Sequence, residues 1–171
     1  LKPQAKANPR ALEAIAIADL IIISPGNLYC SLIPNFLVQD ISRAIRQSKA
    51  RKVYVCNLMN KRGHTDNFTV LDFVGVIEKY LGEKAINFVV FNNRKPPQLL
   101  LKKYAREGKP VKLAQEDGRV FIKADLLNPV RNDISNGANK KKFQQDRADQ
   151  LKRSLIRHDP NKLARTLINL L

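Results

Sequence analysis

The 171-residue chain carries 31 Lys and Arg against 15 Asp and Glu, a formal net charge of +16, with 44% hydrophobic residues and 6% aromatics. That length and apolar share suit one domain with its own core, and the most apolar stretch, Leu20 to Ile23, falls far short of the roughly 18 residues a membrane helix needs, so no membrane partner is expected. The bases are spread along the chain, with Lys140-Lys141-Lys142 as the only run, and aromatics are too few to interleave with them as stacking platforms, so nucleic-acid contact is expected to be weak and non-specific.

The chain opens on Leu1, and Lys2-Pro3-Gln4-Ala5-Lys6 lacks the apolar core of a signal peptide, which reads as a truncated rather than a targeted N-terminus. Cys30 and Cys56 have no Cys or His neighbour at metal-ligand spacing, so reduced thiols in a cytoplasmic protein are expected, without a zinc site or a disulfide framework.

In chain order, a helix over residues 9–18 precedes three short apolar runs that read as buried strands: Leu20 to Ile23, Val53 to Leu58 and Ile86 to Phe91. Each is followed by a helical pattern. Ile33, Phe36, Leu37, Ile41, Ala44 and Ile45 recur at helical spacing and predict one helix to about Ser48, with Ser31 as N-cap and Pro34 in the first turn. Val70, Phe73, Val74, Ile77 and Leu81 predict the next, started by a capping box of Thr69 and Asp72 and stopped at Gly82. Pro96-Pro97 leads to Leu99, Leu100 and Ala105, with a stop at Gly108. Such alternation predicts an α/β fold, a parallel sheet with helices covering it, and a core containing Ile22, Ile41, Val55, Ile77, Val89 and Leu167.

Residues 110–145 break the alternation. Glu116-Asp117-Gly118 reads as the turn of an edge hairpin ending in Val120-Phe121-Ile122, and residues 128–142, poor in apolar side chains, read as a surface connection. A last helix starts at Asp159 and Pro160 and buries Leu163, Leu167 and Leu170, so that residues 1–171 form a single domain.

Ligands of parallel α/β sheets sit outside the carboxyl ends of the strands, which selects two loops. In the first, residues 24–31, Pro25 and Gly26 form the turn, Gly26 admits a ligand to the backbone, and Asn27, Tyr29 and Ser31 offer hydrogen bonds; a plain strand-to-helix turn explains the same residues equally well. The second, residues 57–67, is more polar than a connection requires. Asn57 suits a base or sugar, Lys61 and Arg62 suit phosphate oxygens, and Asp66 suits a hydroxyl or a metal, with Asn60 and Thr65 expected to border the same pocket; a solvated loop in which Asp66 or Asn67 caps the next helix is the alternative, and for the lone His64 it is the better reading. His64 and His158 lie far apart in sequence, without a Ser or Cys in nucleophile context, which argues against a hydrolytic triad.

These two loops carry a resemblance. Ser24-Pro25-Gly26-Asn27-Leu28-Tyr29-Cys30-Ser31-Leu32-Ile33-Pro34-Asn35, and the segment from Asn57-Leu58-Met59 to Thr65-Asp66-Asn67-Phe68-Thr69, resemble the two signature segments of the CofD-like superfamily, in the form used by its YvcK-like gluconeogenesis factor branch, approximately GPGSLYTSIIPN and NLMTQPGETDNF. Ala18 to Ile22 and Ile156-Arg157-His158-Asp159-Pro160 extend the similarity over most of the chain. The resemblance implies a Rossmann-like, three-layer core whose glycine-rich phosphate loop is absent here, since none of the seven glycines cluster. It also implies a phosphorylated ligand of UDP-sugar type, held by a cytoplasmic, self-associating regulator of cell-wall and central carbon metabolism without a cofactor. The alternative branch transfers a phospholactyl-type group onto a deazaflavin and alone calls for a divalent metal. Ser24, Cys30, Asn60, Lys61, Arg62, His64 and Phe73 depart from the branch pattern, and the resulting extra positive charge suits a diphosphate or another anion.

Overall fold

In a computed structural model of the chain, residues 3–82, 84–128 and 156–171 are described. The elements run α1 (Pro9–Ile17), β1 (Leu20–Ile23), a π-helical turn (Leu28–Leu32), α2 (Ile33–Phe36), α3 (Gln39–Gln47), β2 (Arg51–Val55), α4 (Val70–Leu81), β3 (Phe88–Asn92), α5 (Gln98–Tyr104), β4 (Val120–Ala124) and α6 (Pro160–Ile168). The four strands form one parallel sheet in the order β1-β2-β3-β4.

The strands are apolar on both faces because both faces are covered. Ile23, Tyr54, Cys56, Val89 and Phe91 point into a core closed by Phe36, Ile45, Phe73, Val74, Ile77 and Leu81. Their sequence neighbours Val53, Val55 and Val90 point to the opposite face, where Leu163, Leu167 and Leu170 of α6 and its extension cover them. The result is the expected three layers. Val55, Ile77 and Val89 are fully buried. Ile41 packs partly buried against the first core and Leu167 against the second.

Local chemistry sets the helix ends. Thr69 accepts from the Asp72 amide, and the Asp72 carboxylate accepts from Thr69 N at 2.7 Å, which completes the capping box and holds the Asp72 carboxyl below its ordinary range. Asp159 caps α6 by accepting from Asn161 N and Lys162 N, both at 2.9 Å. At the far end of α4, buried Glu78 accepts from Ile86 N at 3.0 Å and from Arg119 at 2.8 Å, pinning that helix to the starts of β3 and β4.

Four expectations are corrected. The predicted helix from Ile33 to Ser48 is two helices, because Val38 is extended (φ −81°, ψ 103°) and the Ser42 hydroxyl donates to the Phe36 carbonyl released by the break. A helical spacing of apolar residues survives such a break whenever both pieces keep the same inward face. Ser31 is not the cap: it lies inside the π-helical turn, which Asn27 caps with Oδ1 accepting from Cys30 N at 3.3 Å, and α2 follows from Leu32 without a side-chain cap. Ile22 is 45% exposed rather than core, since β1 lies at the edge of the sheet formed by the described residues and Ile22 joins none of its packed clusters. Among the described residues the expected edge hairpin is absent, because β4 pairs with β3 in parallel and residues 111–117 before it form no strand. Most of the predicted surface connection lies outside the described residues.

Candidate functional site

The two candidate loops leave the carboxyl ends of neighbouring strands, β1 and β2, and Asn57 joins them. Its Nδ2 donates to Gly26 O at 2.8 Å and its Oδ1 accepts from Gly26 N at 3.4 Å. The loop after β2 is shaped by its own polar groups. Buried Thr65 accepts from Lys61 N through Oγ1 at 2.9 Å, Asp66 accepts from Gly63 N at 2.6 Å, and Gly63 and Asn67 hold positive φ of 75° and 58°.

A strap running from the end of α5 fixes this loop from outside. Asn60 N donates to Lys109 O, Arg62 N to Glu107 O and Val111 N to Leu58 O, at 2.7, 2.7 and 3.0 Å, with Met59 and Pro110 in an antiparallel bridge. The approach is so close that a Cβ on Gly108 would stand 1.9 Å from Asn60 O. In the sequence Gly108 has only the signature of a helix stop.

Together the loops line a cleft of about 240 Å³ with Gly26, Asn27, Leu28, Asn57, Lys61, His64 and Thr65. Five of the expected site residues, Gly26, Asn27, Asn57, Lys61 and Thr65, thus meet at one place. The other five do not line it. Pro25 is half-buried, Tyr29 and Ser31 are exposed on the π-helical turn, and Asp66 is exposed and engaged with Gly63. Asn60 is buried, with Nδ2 donating to Phe68 O at 3.0 Å and Oδ1 without a partner among the described residues. His64, read from sequence as a solvated loop residue, and Leu28 both line the cleft; nothing in their sequence context sets them apart from turn residues.

Lys61 gives the cleft lining a positive charge. Lys61 and His64 face the cleft, and no carboxylate is among its lining residues. Asn57 has both polar atoms engaged with Gly26, so it shapes the cleft more than it offers free hydrogen-bonding capacity. Next to it, at the end of β2, the Cys56 thiol is buried and pushed up to about 12 by burial, which keeps it protonated and chemically quiet. The His158 ring lies against the Cys56 backbone, with its pKa lowered by burial despite that hydrogen bond, and its Nε2 is buried without a partner among the described residues. The described residues contain no group of three or more His, Cys, Asp or Glu able to hold a metal ion, and no helix long and apolar enough to cross a membrane.

Comparison with known proteins agrees with this geometry. The family described as 2-phospho-L-lactate transferase CofD matches residues 1–134. A Thermotoga maritima protein, named provisionally as a gluconeogenesis factor, is 41% identical over 92% of this chain and 46% of its own length. The Bacillus subtilis gluconeogenesis factor is 34% identical over 95% of this chain and 46% of its own. A crystal structure of a UPF0052 family member from Bacillus halodurans superposes with a TM-score of 0.71 at 35% identity, covering 75% of this chain and 43% of that one. The chain therefore spans about half the length of these relatives. With the family matched over most of its residues and both signature loops meeting at one cleft, the chain belongs to the CofD family, in its gluconeogenesis factor branch.

Proposed function

We propose that this chain contributes a binding site for a phosphorylated small molecule, a nucleotide sugar of UDP-sugar type, to a regulatory protein acting on central carbon and cell-wall metabolism. The observation that carries the reading is the lining of the cleft: Lys61, His64 and the Gly26–Leu28 backbone at two strand ends, with no carboxylate among them. An anion gains charge-assisted hydrogen bonds there and meets no like charge. At about 240 Å³ the cleft suits a diphosphate, with the rest of a nucleotide sugar extending beyond it. The role in central carbon metabolism rests on the name of the Bacillus subtilis relative, a gluconeogenesis factor 34% identical to this chain, and the cell-wall role on the resemblance alone.

The family description, 2-phospho-L-lactate transferase, favours a second reading, group transfer; the resemblance drawn from the two loops implies a phospholactyl-type group moved from a nucleotide donor to a deazaflavin. The resemblance calls for a divalent metal in that reading alone; the groups lining this cleft are amide, hydroxyl, imidazole and ammonium. Calorimetry on the full-length protein with a UDP-sugar, a deazaflavin precursor and a phospholactyl nucleotide donor separates the readings. Binding of the UDP-sugar alone, weakened by Lys61→Ala, is the expected result. Preference for the deazaflavin, or turnover of the donor, establishes the transferase, and failure of all three to bind removes the site.

A further inference from the structure

The site loop lines the cleft on one side and meets the strap on another. There Arg62 N donates to Glu107 O, Asn60 N to Lys109 O and Val70 N to Lys112 O. These backbone bonds bring exposed cations of the loop, of α5 and of the strap onto one surface. Arg62, Lys102, Lys103, Arg106, Lys109 and Lys112 are all exposed, and none of them forms an ion pair among the described residues. Arg43, Arg94, Arg119, Lys123 and Lys162, by contrast, each meet a carboxylate at 2.7 to 3.7 Å.

The local charge exceeds what the composition of the chain accounts for. Residues 98–112 hold five Lys and Arg against one carboxylate, Glu107, whereas the whole chain holds 31 against 15. Compensation of the helix dipole explains Lys102 and Lys103, which sit in the last turn of α5. It does not explain Arg62, Lys109 or Lys112, which lie on the loop and the strap.

An apolar group sits among these cations. Leu100 and Tyr104 of α5 turn inward to a cluster with Leu58, Leu127 and Ile156, whereas Leu99 is 69% exposed. Leu99, Lys102 and Lys103 share a helix face, and Arg106 follows at the end of the helix. A nucleic-acid backbone would use the charge and leave Leu99 in water, and Tyr104, the only aromatic of residues 98–112, is buried and gives bases no stacking platform. A protein segment that sets apolar side chains among carboxylates uses both features.

We propose that the outer surface formed by α5, the strap and Arg62 is an interaction surface for an acidic segment of a partner protein, with Leu99 as its apolar anchor. The cations steer the encounter, and contact at Leu99 selects among acidic partners. Lys61 and His64, which line the cleft, are not part of this surface, so the inference holds whichever anion the cleft binds.

The test is fluorescence anisotropy on the full-length protein at physiological ionic strength, with a labelled peptide of repeated Glu-Glu-Leu and a labelled single-stranded oligonucleotide of mixed sequence as probes. The peptide is expected to bind, and Lys102→Glu combined with Arg106→Glu should weaken it by about tenfold or more. Lys49→Glu combined with Lys84→Glu changes the net charge equally, but before β2 and β3 rather than after them, and should leave peptide affinity within about twofold. Leu99→Ser should weaken the peptide by about fivefold and leave the oligonucleotide unaffected. The inference is overturned if the peptide does not bind, if the two double variants weaken it equally, if Leu99→Ser leaves its affinity unchanged, or if the oligonucleotide binds more tightly than the peptide and loses that affinity with Lys102 and Arg106.

Discussion

Asn57 holds the two peptide groups that flank the Gly26 Cα, donating to the Gly26 carbonyl at 2.8 Å and accepting from the Gly26 amide at 3.4 Å. One side chain thereby replaces the backbone pairing that β1 and β2 lose once their strands end. Cutting Asn57→Ala leaves a part-buried carbonyl and amide unpaired, at a cost of about 1 to 3 kcal/mol. Chemical denaturation should show that loss with an unchanged slope. Asn57→Asp should be at least as damaging, since it sets a carboxylate oxygen against Gly26 O. A variant with wild-type stability and loop exchange would show that the clamp does not hold the loops.

Much of this organisation was legible in the sequence because it follows from short-range chemistry. Thr69 with Asp72, Asp159 with Pro160, and the β-branched runs on either side of them mark helix starts and strands through residues no more than three or four apart. What escaped depends on distant partners. Asp117-Gly118 has turn chemistry and by itself predicts a hairpin around Val120, and only pairing with β3, some thirty residues earlier, makes that run a parallel strand. Ile22 has the same apolar character as Ile23, and only its place on an edge strand separates them. At the site, the two loops were found through strand ends and polar density, but the engagement of Asn57 with Gly26 and of Asp66 with Gly63 follows from loop geometry alone.

Gly108 should be intolerant of any side chain. The atom a Cβ would strike, at 1.9 Å, is the backbone oxygen of Asn60, so relief requires the strap or the site loop to shift. Gly108→Ala is expected to lower the thermal midpoint and to speed amide exchange at Asn60 and Arg62, whose donors bond to the strap. Unchanged exchange at these two amides would mean that the strap does not brace the loop.

Asp125 supplies a pH signature. Hydrogen bonds from Lys162 and Arg94 hold its carboxyl at about 2, below the ordinary value near 3.9. Folding therefore favours the charged form, so this stabilisation is present above about pH 4 and is lost as the pH falls through about 2. Lys162 and Asp125 are each about a third exposed, so solvent screening keeps the pair to about 1 kcal/mol at most. Lys162→Met should flatten the decline in stability between pH 4 and 2; a parallel decline in both proteins would contradict the assignment.

Two isoleucines offer a controlled comparison of burial. Ile77 on α4 is fully buried in the main core, and Ile77→Ala should cost about 2 to 5 kcal/mol, from lost transfer energy and the cavity left behind. Ile22, with 45% of its surface already in water, should lose less than about 1 kcal/mol on the same cut. Urea titrations of the two variants measure the difference directly. Equal losses would place Ile22 inside a core and remove the exposed edge described for β1.

Gly26 separates what the fold requires from what a ligand requires. A Cβ built there meets only Leu32 and Ser31 side-chain atoms, at 3.5 to 3.7 Å, which is ordinary contact. Its φ is not positive, so the backbone does not demand glycine either. Gly26→Ala should therefore fold with wild-type stability and keep its bonds to Asn57, which use only backbone atoms of residue 26. Gly26 nevertheless lines the cleft, where an added methyl narrows the approach of an anion to the backbone between Gly26 and Leu28. Calorimetry of the full-length protein with a UDP-sugar should show affinity reduced by about tenfold, equivalent to about 1.4 kcal/mol, with the unfolding midpoint unmoved. Loss of stability together with affinity would show that the glycine serves the turn, and unchanged affinity would show that the ligand does not reach this backbone.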